Sequence, residues 1–543
     1  MQPVDIRSDH LAIVLDILAR HVPEAEVWVF GSRAKWLARD TSDLDLCIRA
    51  AAPIGFAHMG ALREAFEESN LPYKVDVVDW ATTAESFRKI IERDKVVVQK
   101  GAGMSEWTPS TLADVSLDVS YGYTESASSD NVGPRFLRIT DIQNGVVDWS
   151  NVPYCPISEA NHQKYRLNPG DIVVARTGNS TGENFLYRGS EDAVFASYLI
   201  RFRIDPQKAD PGFVWYNLRS DKWWGFINNS KTGSAQAGAN AKVLGQFPIR
   251  FPSLDEQKTI AHILGTLDDK IELNRRMNET LEAIARALFK SWFVDFDPVR
   301  AKMSGEPTVS ICQRLGLTPD LLALFPDRLV DSELGEIPEG WSCSSIGNEV
   351  SIAGGATPST TNSEYWNGEY AWVTPKDLSG VAEKVLIDSE RKITQAGVKK
   401  ISSGQLPTGT VLLSSRAPIG YLALAMIPVS INQGFIAMVC DTRLPNTYVL
   451  QWAIENLDAI KQRGSGTTFA EISKANFRPM AVLVPDERVL KVFHQQVMPL
   501  YEQITAKVRE SETLATVRDA LLPKLLSGEL RVPDAEKTVE LMA

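Results

Sequence analysis

Three acidic side chains near the N-terminus are placed to do phosphate chemistry. Asp43 and Asp45 stand two residues apart in the stretch Ser42-Asp43-Leu44-Asp45-Leu46, whose apolar alternation predicts a β-strand. A period of two puts both carboxylates on one face. Asp76 lies in a second apolar run, Lys74–Val78, and joins them if the two strands are neighbours. Carboxylates converging in this way are hard oxygen ligands suited to Mg2+, an ion that bridges phosphates and activates an attacking oxygen. Upstream, Gly31-Ser32 closes a buried-strand pattern, Val27–Phe30. Glycine lets the backbone approach a phosphate closely, and the serine hydroxyl offers a donor. The candidate catalytic and metal-holding residues are therefore Asp43, Asp45 and Asp76, with Gly31 and Ser32 for a nucleotide. A strand entry with solvated acids accounts for the Asp-x-Asp letters alone, and the Gly-Ser turn and the third acid argue against it.

The elements that must position these groups form a small α/β unit over residues 1–103, beginning with a helix whose apolar spacing runs from Leu11 to Leu18. Together the unit resembles the minimal nucleotidyltransferases of the DNA polymerase beta superfamily. Their pattern is a Gly-Ser turn, a short helix, an Asp-x-Asp strand and a third acid on a later strand. Gly31, Ser32, Asp43, Asp45 and Asp76 match it in order. Trp36 departs from it, standing where many members carry a small residue. The resemblance implies Mg2+ and a nucleoside triphosphate as cofactors of this unit if it is active.

The rest of the chain is a duplication. From Ser253 to Asp486 is a shift of 233 residues, and it lays Ser253–Val294 on Asp486–Ser527 without a gap. Lys258, Leu267, Ile271, Arg276, Glu279, Thr280, Leu281, Ala287 and Leu288 recur as Lys491, Leu500, Ile504, Arg509, Glu512, Thr513, Leu514, Ala520 and Leu521. A fixed-period repeat dictates the architecture. Ile260, Leu264, Leu267, Ile271, Leu281, Leu288 and Trp292 fall on one heptad stripe, interrupted by Asn274 and Asn278, with Lys507 and Ser511 in the second copy. A stripe repeated on both helices favours their pairing over two separate surface helices. Gly265 and Pro499 predict a break, leaving a rod of about 40 Å from residue 267 to 293, and Pro523 is expected to disturb the end of the second rod.

Each helix follows a lobe rich in short β-like runs and glycine-containing turns. Trp341 answers Trp107, Gly409–Arg416 answers Gly170–Arg176, and Pro485 answers Pro252. Scaffold positions agree while loops differ, as in two copies of one fold that bind different targets. Phe213 to Phe226 shows aromatic helical spacing of a core segment. The expected organisation is 1–103 as above, lobes at 104–252 and 341–485, helices at 253–297 and 486–530, a connector at 298–340 and a tail at 531–543. The fold class is α+β multidomain: an α/β unit, then two mixed α/β lobes separated by a pair of long antiparallel helices.

A net charge of -11 argues at first against nucleic acid, but the acid sits mostly in the helices, connectors and tail. The two lobes are nearly neutral and can present basic faces, while acidic rods suit a basic protein partner. Five scattered cysteines without a CxxC pair exclude a disulfide framework and zinc sites of familiar spacing. No apolar run is long enough to span a membrane and the start is no signal peptide, so the expected location is cytoplasmic.

Lobe, helix, connector, lobe, helix is similar to the specificity (S) subunit of type I restriction-modification systems. Ser291–Lys302, Glu333–Trp341, Gly409–Gly420 and Leu521–Leu530 carry the resemblance in their wording, across residues 104–530. It implies two target-recognition domains, each reading half of a split, asymmetric double-stranded DNA sequence. It also implies a modification subunit that methylates adenine with S-adenosylmethionine, and an ATP-driven restriction subunit; those cofactors belong to the partners. The candidate DNA contacts are Arg176, Thr177, Asn179, Lys231, Thr232 and Ser234 in the first lobe. In the second they are Lys376, Ser415, Arg416, Arg463, Ser465, Thr467 and Thr468. Rods of about 40 Å would set the readers about one DNA turn apart, a turn being about 34 Å. No His/acid or Cys/His grouping marks a catalytic centre within 104–530. The alternative is a nucleotidyltransferase that modifies a protein or RNA, with the duplicated region as its targeting arm. In a third reading the front unit is an inactive docking module.

Overall fold

The computed structural model describes residues 4–23, 25–39, 42–50, 53–99, 107–230, 239–465 and 470–535. The chain forms two compact units, Met1–Thr266 with Val517–Ala543, and Leu267–Thr516. The divide falls inside both long helices.

The N-terminal unit is built from α1 (Ser8–His21), β1 (Glu26–Phe30), β2 (Leu44–Arg49), α2 (Phe56–Glu67), β3 (Val75–Asp79), α3 (Glu85–Asp94) and β4 (Val96–Gln99). The strands make one sheet in the order β3-β2-β1-β4. β1 runs antiparallel to β2 and β4, whereas β2 and β3 are parallel and joined by the α2 crossover. Strand alternation sorts the side chains. Leu44, Leu46 and Ile48 pack with Val14, Leu18, Leu62 and Phe66 of α1 and α2. Trp28, Phe30 and Cys47 lie on the other face with Ile91 of α3.

The two lobes repeat one topology. In the first, a four-stranded sheet has the order 116–121, 199–204, 171–175, 184–186. In the second, the corresponding strands are 351–353, 435–439, 411–414 and 422–425, extended by 385–386. Each lobe adds a parallel pair, Ala193–Phe195 with Arg135–Leu137 and Ser430–Ile431 with Trp372–Val373. Each is closed by an antiparallel pair of its ends, Thr108–Thr111 with Pro248–Phe251 and Ser342–Ser345 with Ala481–Val484. The aromatic run after Phe213 is two helices, Pro211–Asn217 and Asp221–Ser230, with Phe213 and Trp223 fully buried.

The spacer helices are unbroken, which corrects the expected rod. The first runs Leu254–Phe293 over 40 residues and the second Glu487–Ser527 over 41. At about 1.5 Å per residue each is about 60 Å long. Gly265 sits inside the first with only the Tyr216 hydroxyl near its Cβ position, 3.9 Å away. Pro499 and Pro523 sit inside the second on its exposed side. Proline removes one backbone donor there, and buried Phe493, Val497, Tyr501 and Ile504 on either side of Pro499 hold the helix through it.

Within the second unit the helices pair antiparallel. Phe289 and Phe293 meet Phe493, with ring centroids 6.1 and 5.0 Å apart, while Asn274 meets Glu510 and Ser511. Rising numbers on one helix thus face falling numbers on the other. Asn274 does not merely interrupt the stripe: at 0% exposure it occupies the seam, while Asn278, 2% exposed, donates to Glu383 of the second lobe at 3.3 Å. Leu281 and Leu288 lie at its flank, half-buried, and Ala285 and Phe289 take the buried positions.

Candidate functional site

The acidic site is set by sheet register. Asp45 pairs with Phe30 across β1–β2 and with Asp76 across β2–β3, so the last residue of β1 and both acids share one line across the sheet. Asp43 lies just before β2 and is exposed, rather than within the strand. Gly31 follows at φ +76°, and a Cβ there would come 2.3 Å from Asp45 Oδ2. Only glycine gives the turn its left-handed backbone and leaves room for that carboxylate.

Burial raises the pKa of Asp45, reinforced by the charges of Asp76 and then Asp43 and opposed by Lys74. Mutual repulsion of this kind is what a divalent cation relieves. The donors therefore fit Mg2+ in chemistry. As placed, however, no three carboxylate, histidine or cysteine side chains among the described residues close into a metal-binding group. Lys74 Nζ lies 2.5 Å from Asp76 Oδ1, holding the third acid.

Arg33 is a positioning group that sequence reading passed over. Its side chain is buried, with Nε and Nη2 donating to the Ser42 carbonyl at 3.0 and 2.6 Å and Nη1 to the Asp5 carbonyl at 3.0 Å. Its guanidinium lies over the Tyr73 ring at 3.8 Å. The residue after Ser32 thus ties the Gly-Ser turn to the residue before Asp43. The arginine in Gly-Ser-Arg was visible, but its partners are backbone carbonyls that no spacing rule reveals. A cleft of about 620 Å³ in the same unit, lined by His21, Arg49, His58 and Arg531, opens at the far end of β2 from Asp45. It takes no part in the acidic site.

In the first lobe the fully buried strand Asp171–Ala175 delivers Arg176 at its end. Arg176 is half-buried, donates from Nε to the Ser197 carbonyl at 3.0 Å, and lies 5.2 and 5.9 Å from the rings of Tyr121 and Tyr198. Those tyrosines are 44% and 55% exposed and were not anticipated. Thr177 is half-buried and Asn179 exposed in the same turn. Lys231, Thr232 and Ser234 lie outside the described residues, as do Thr467 and Thr468.

The second lobe brings two of its candidates, Arg416 and Ser465, to Glu471. Arg416 Nη1 lies 3.7 Å from the Glu471 carboxylate, and Ser465 exchanges both backbone hydrogen bonds with Glu471 at 2.9 Å. Arg463 is exposed and donates to the Asn476 carbonyl at 3.3 Å. Lys376 is exposed and paired with Glu390 at 2.8 Å. Ser415 is buried. At 3% exposure, with its backbone bonded to Gly434 and Ile472, it holds the loop from inside.

Comparison with known proteins identifies both parts. Residues 104–283 and 338–498 match the type I restriction modification DNA specificity domain, and residues 14–101 match the polymerase beta nucleotidyltransferase domain. The chain belongs to the type I restriction-modification specificity family, with a nucleotidyltransferase-family domain at its N-terminal end. It is 25% identical over 475 residues to the HindI specificity subunit of Haemophilus influenzae, covering 79% of this chain and 100% of that one. The MjaIX specificity subunit of Methanocaldococcus jannaschii is 32% identical over 370 residues, covering 67% and 76%. The N-terminal domain is 52% identical over 97 residues to a probable protein adenylyltransferase, MntA, of Haemophilus influenzae, covering 18% of this chain and 85% of that protein. No described helix is long and apolar enough to cross a membrane.

Proposed function

We propose that this chain is the DNA-reading subunit of a type I restriction-modification complex and recognises a bipartite, asymmetric site in double-stranded DNA. Each lobe reads one half-site, and partner subunits methylate adenine within it or restrict DNA that lacks the mark. The observation that carries this reading is the shared strand order of the two lobes combined with unlike loops at the same positions. A common scaffold fixes where each loop sits, and different side chains there give different bases in the major groove. Arg176 and Arg416 follow corresponding strands, and arginine is the side chain whose paired donors suit guanine. S-adenosylmethionine and ATP belong to the modification and restriction subunits.

The N-terminal domain is read as a nucleotidyltransferase that uses a nucleoside triphosphate and modifies a protein, as the printed name of its relative suggests. Asp43, Asp45 and Asp76 would hold Mg2+, which supplies charge neutralisation of the phosphates. Gly31 gives the backbone its close approach, and the Ser32 hydroxyl donates to a phosphate oxygen. The test is co-expression with a modification subunit. The complex should methylate one split sequence, and incubation with labelled ATP and Mg2+ should label a protein only when Asp43 and Asp45 are intact. A chain that fails to join the modification subunit would contradict the first reading. Labelling that survives Asp43→Ala/Asp45→Ala would contradict the second.

A further inference from the structure

Trp36 combines three features that packing does not explain. It holds a left-handed backbone, φ +59°, without being glycine. Its ring is 53% exposed and stands outside both apolar clusters of the N-terminal domain. It also belongs to the turn that begins at Gly31, whose Cβ position lies 2.3 Å from Asp45 Oδ2. The turn after Gly31 is closed by Lys35 N and Leu37 N donating to the Ser32 carbonyl at 3.2 and 3.0 Å, which brings the backbone at Trp36 back beside Ser32. Lys35 Nζ fixes the outer side of the turn to Asp94 at 2.6 Å, and buried Arg33 fixes its inner side. A non-glycine residue in this backbone region is strained, and strain of this type is kept where surroundings hold it for a purpose. A large ring displayed in water gains nothing from folding that would offset it.

We propose that Trp36 is the stacking platform for the base of the nucleoside triphosphate that enters the acidic site. This rests on the nucleotidyltransferase reading of that site. Every base has a π-face, so a platform adds affinity without choosing among bases, and it adds nothing for the phosphates alone. The platform acts on binding and positions the triphosphate toward Asp43, Asp45 and Asp76.

The test uses the full chain with Mg2+, titrated calorimetrically with ATP and, separately, with tripolyphosphate. Trp36→Gly should melt at or above the wild-type temperature, because glycine accepts the backbone freely. It should bind ATP roughly ten-fold more weakly or worse, with tripolyphosphate affinity unchanged. Trp36→Phe should stay within about three-fold of wild type for ATP, since it keeps a stacking ring. Wild-type affinity for ATP in Trp36→Gly overturns the proposal, as does an equal loss for ATP and tripolyphosphate. Loss of protein labelling with ATP affinity intact also overturns it, assigning the ring to the acceptor protein. A wild-type chain that binds no ATP overturns the nucleotidyltransferase reading itself, so the two failures are distinct.

Discussion

Asn274 Nδ2 donates to Ser511 Oγ at 3.2 Å, and Ser511 occupies the repeat position of Asn278. The seam therefore joins a residue of one copy to the counterpart of its neighbour one turn on. That is a pairing of the kind an antiparallel two-fold arrangement gives, with its centre near Arg276 and Arg509. Asn274 also donates to Glu510 at 3.1 Å, a carboxylate held by Lys507 at 2.9 Å and Lys270 at 3.4 Å. A duplicated chain has made from one sequence the two sides of a quasi-symmetric helical pair.

Asn274 should act as a register device that lowers stability. Its Oδ1 is buried without a partner, and a polar residue at a seam position fixes alignment at some loss of stability. Asn274→Leu should raise the denaturant midpoint, by about 1 kcal/mol in unfolding free energy. A loss of more than about 2 kcal/mol would show that its donor bonds outweigh the orphaned carbonyl.

Pro499 should be a tolerated cost inside a continuous helix. Proline in a helix interior forfeits a backbone bond and clashes with the preceding turn, by about 3 kcal/mol in an unstrained reference. Pro499→Ala should stabilise the chain by about 1–3 kcal/mol in chemical denaturation. A neutral or negative effect would indicate a real break at this point.

Asp45 should trade stability for chemistry. Its folded pKa is raised above the ordinary 3.8, so the native state holds the proton more tightly than the unfolded chain does. Stability contributed by this group is then lost as pH rises from 3.8 through the folded value. Asp45→Asn should raise the melting temperature at neutral pH, and the gain should vanish at acid pH. Nucleotidyl transfer should be abolished in the same variant. A neutral-pH melt below wild type would refute the electrostatic account.

Arg176 and Arg416 should act on separate half-sites. Loss of one base-reading arginine weakens specific binding by about 1–3 kcal/mol and relaxes the sequence at the position it reads. Competition binding with randomised half-sites should show Arg176→Ala relaxing one half only and Arg416→Ala the other. Uniform weakening across all sequences would reassign them to phosphate contacts.

Much of this was legible in the chain itself, for identifiable reasons. Strand periodicity placed Asp45 and Asp76 because pairing in register is a property of alternation. The repeat placed the lobes because two copies must share a scaffold. The helix break was misread because local propensity at Gly265 and Pro499 was overridden by packing on either side, a tertiary effect no window captures. The burial of Ser415 was not legible because a loop serine facing inward looks the same in sequence as one facing solvent. Arg33, Tyr121 and Tyr198 escaped notice because their partners come from distant segments.

The central claim is that each lobe independently specifies half of a split DNA site. The most direct measurement replaces residues 107–252 with the corresponding lobe of a relative and determines the methylated sequence by single-molecule sequencing of modified DNA. The account predicts that one half-site changes to that of the donor, while the other half and the spacing between them stay as they were. If both halves change together, or neither does, the two-reader account is contradicted.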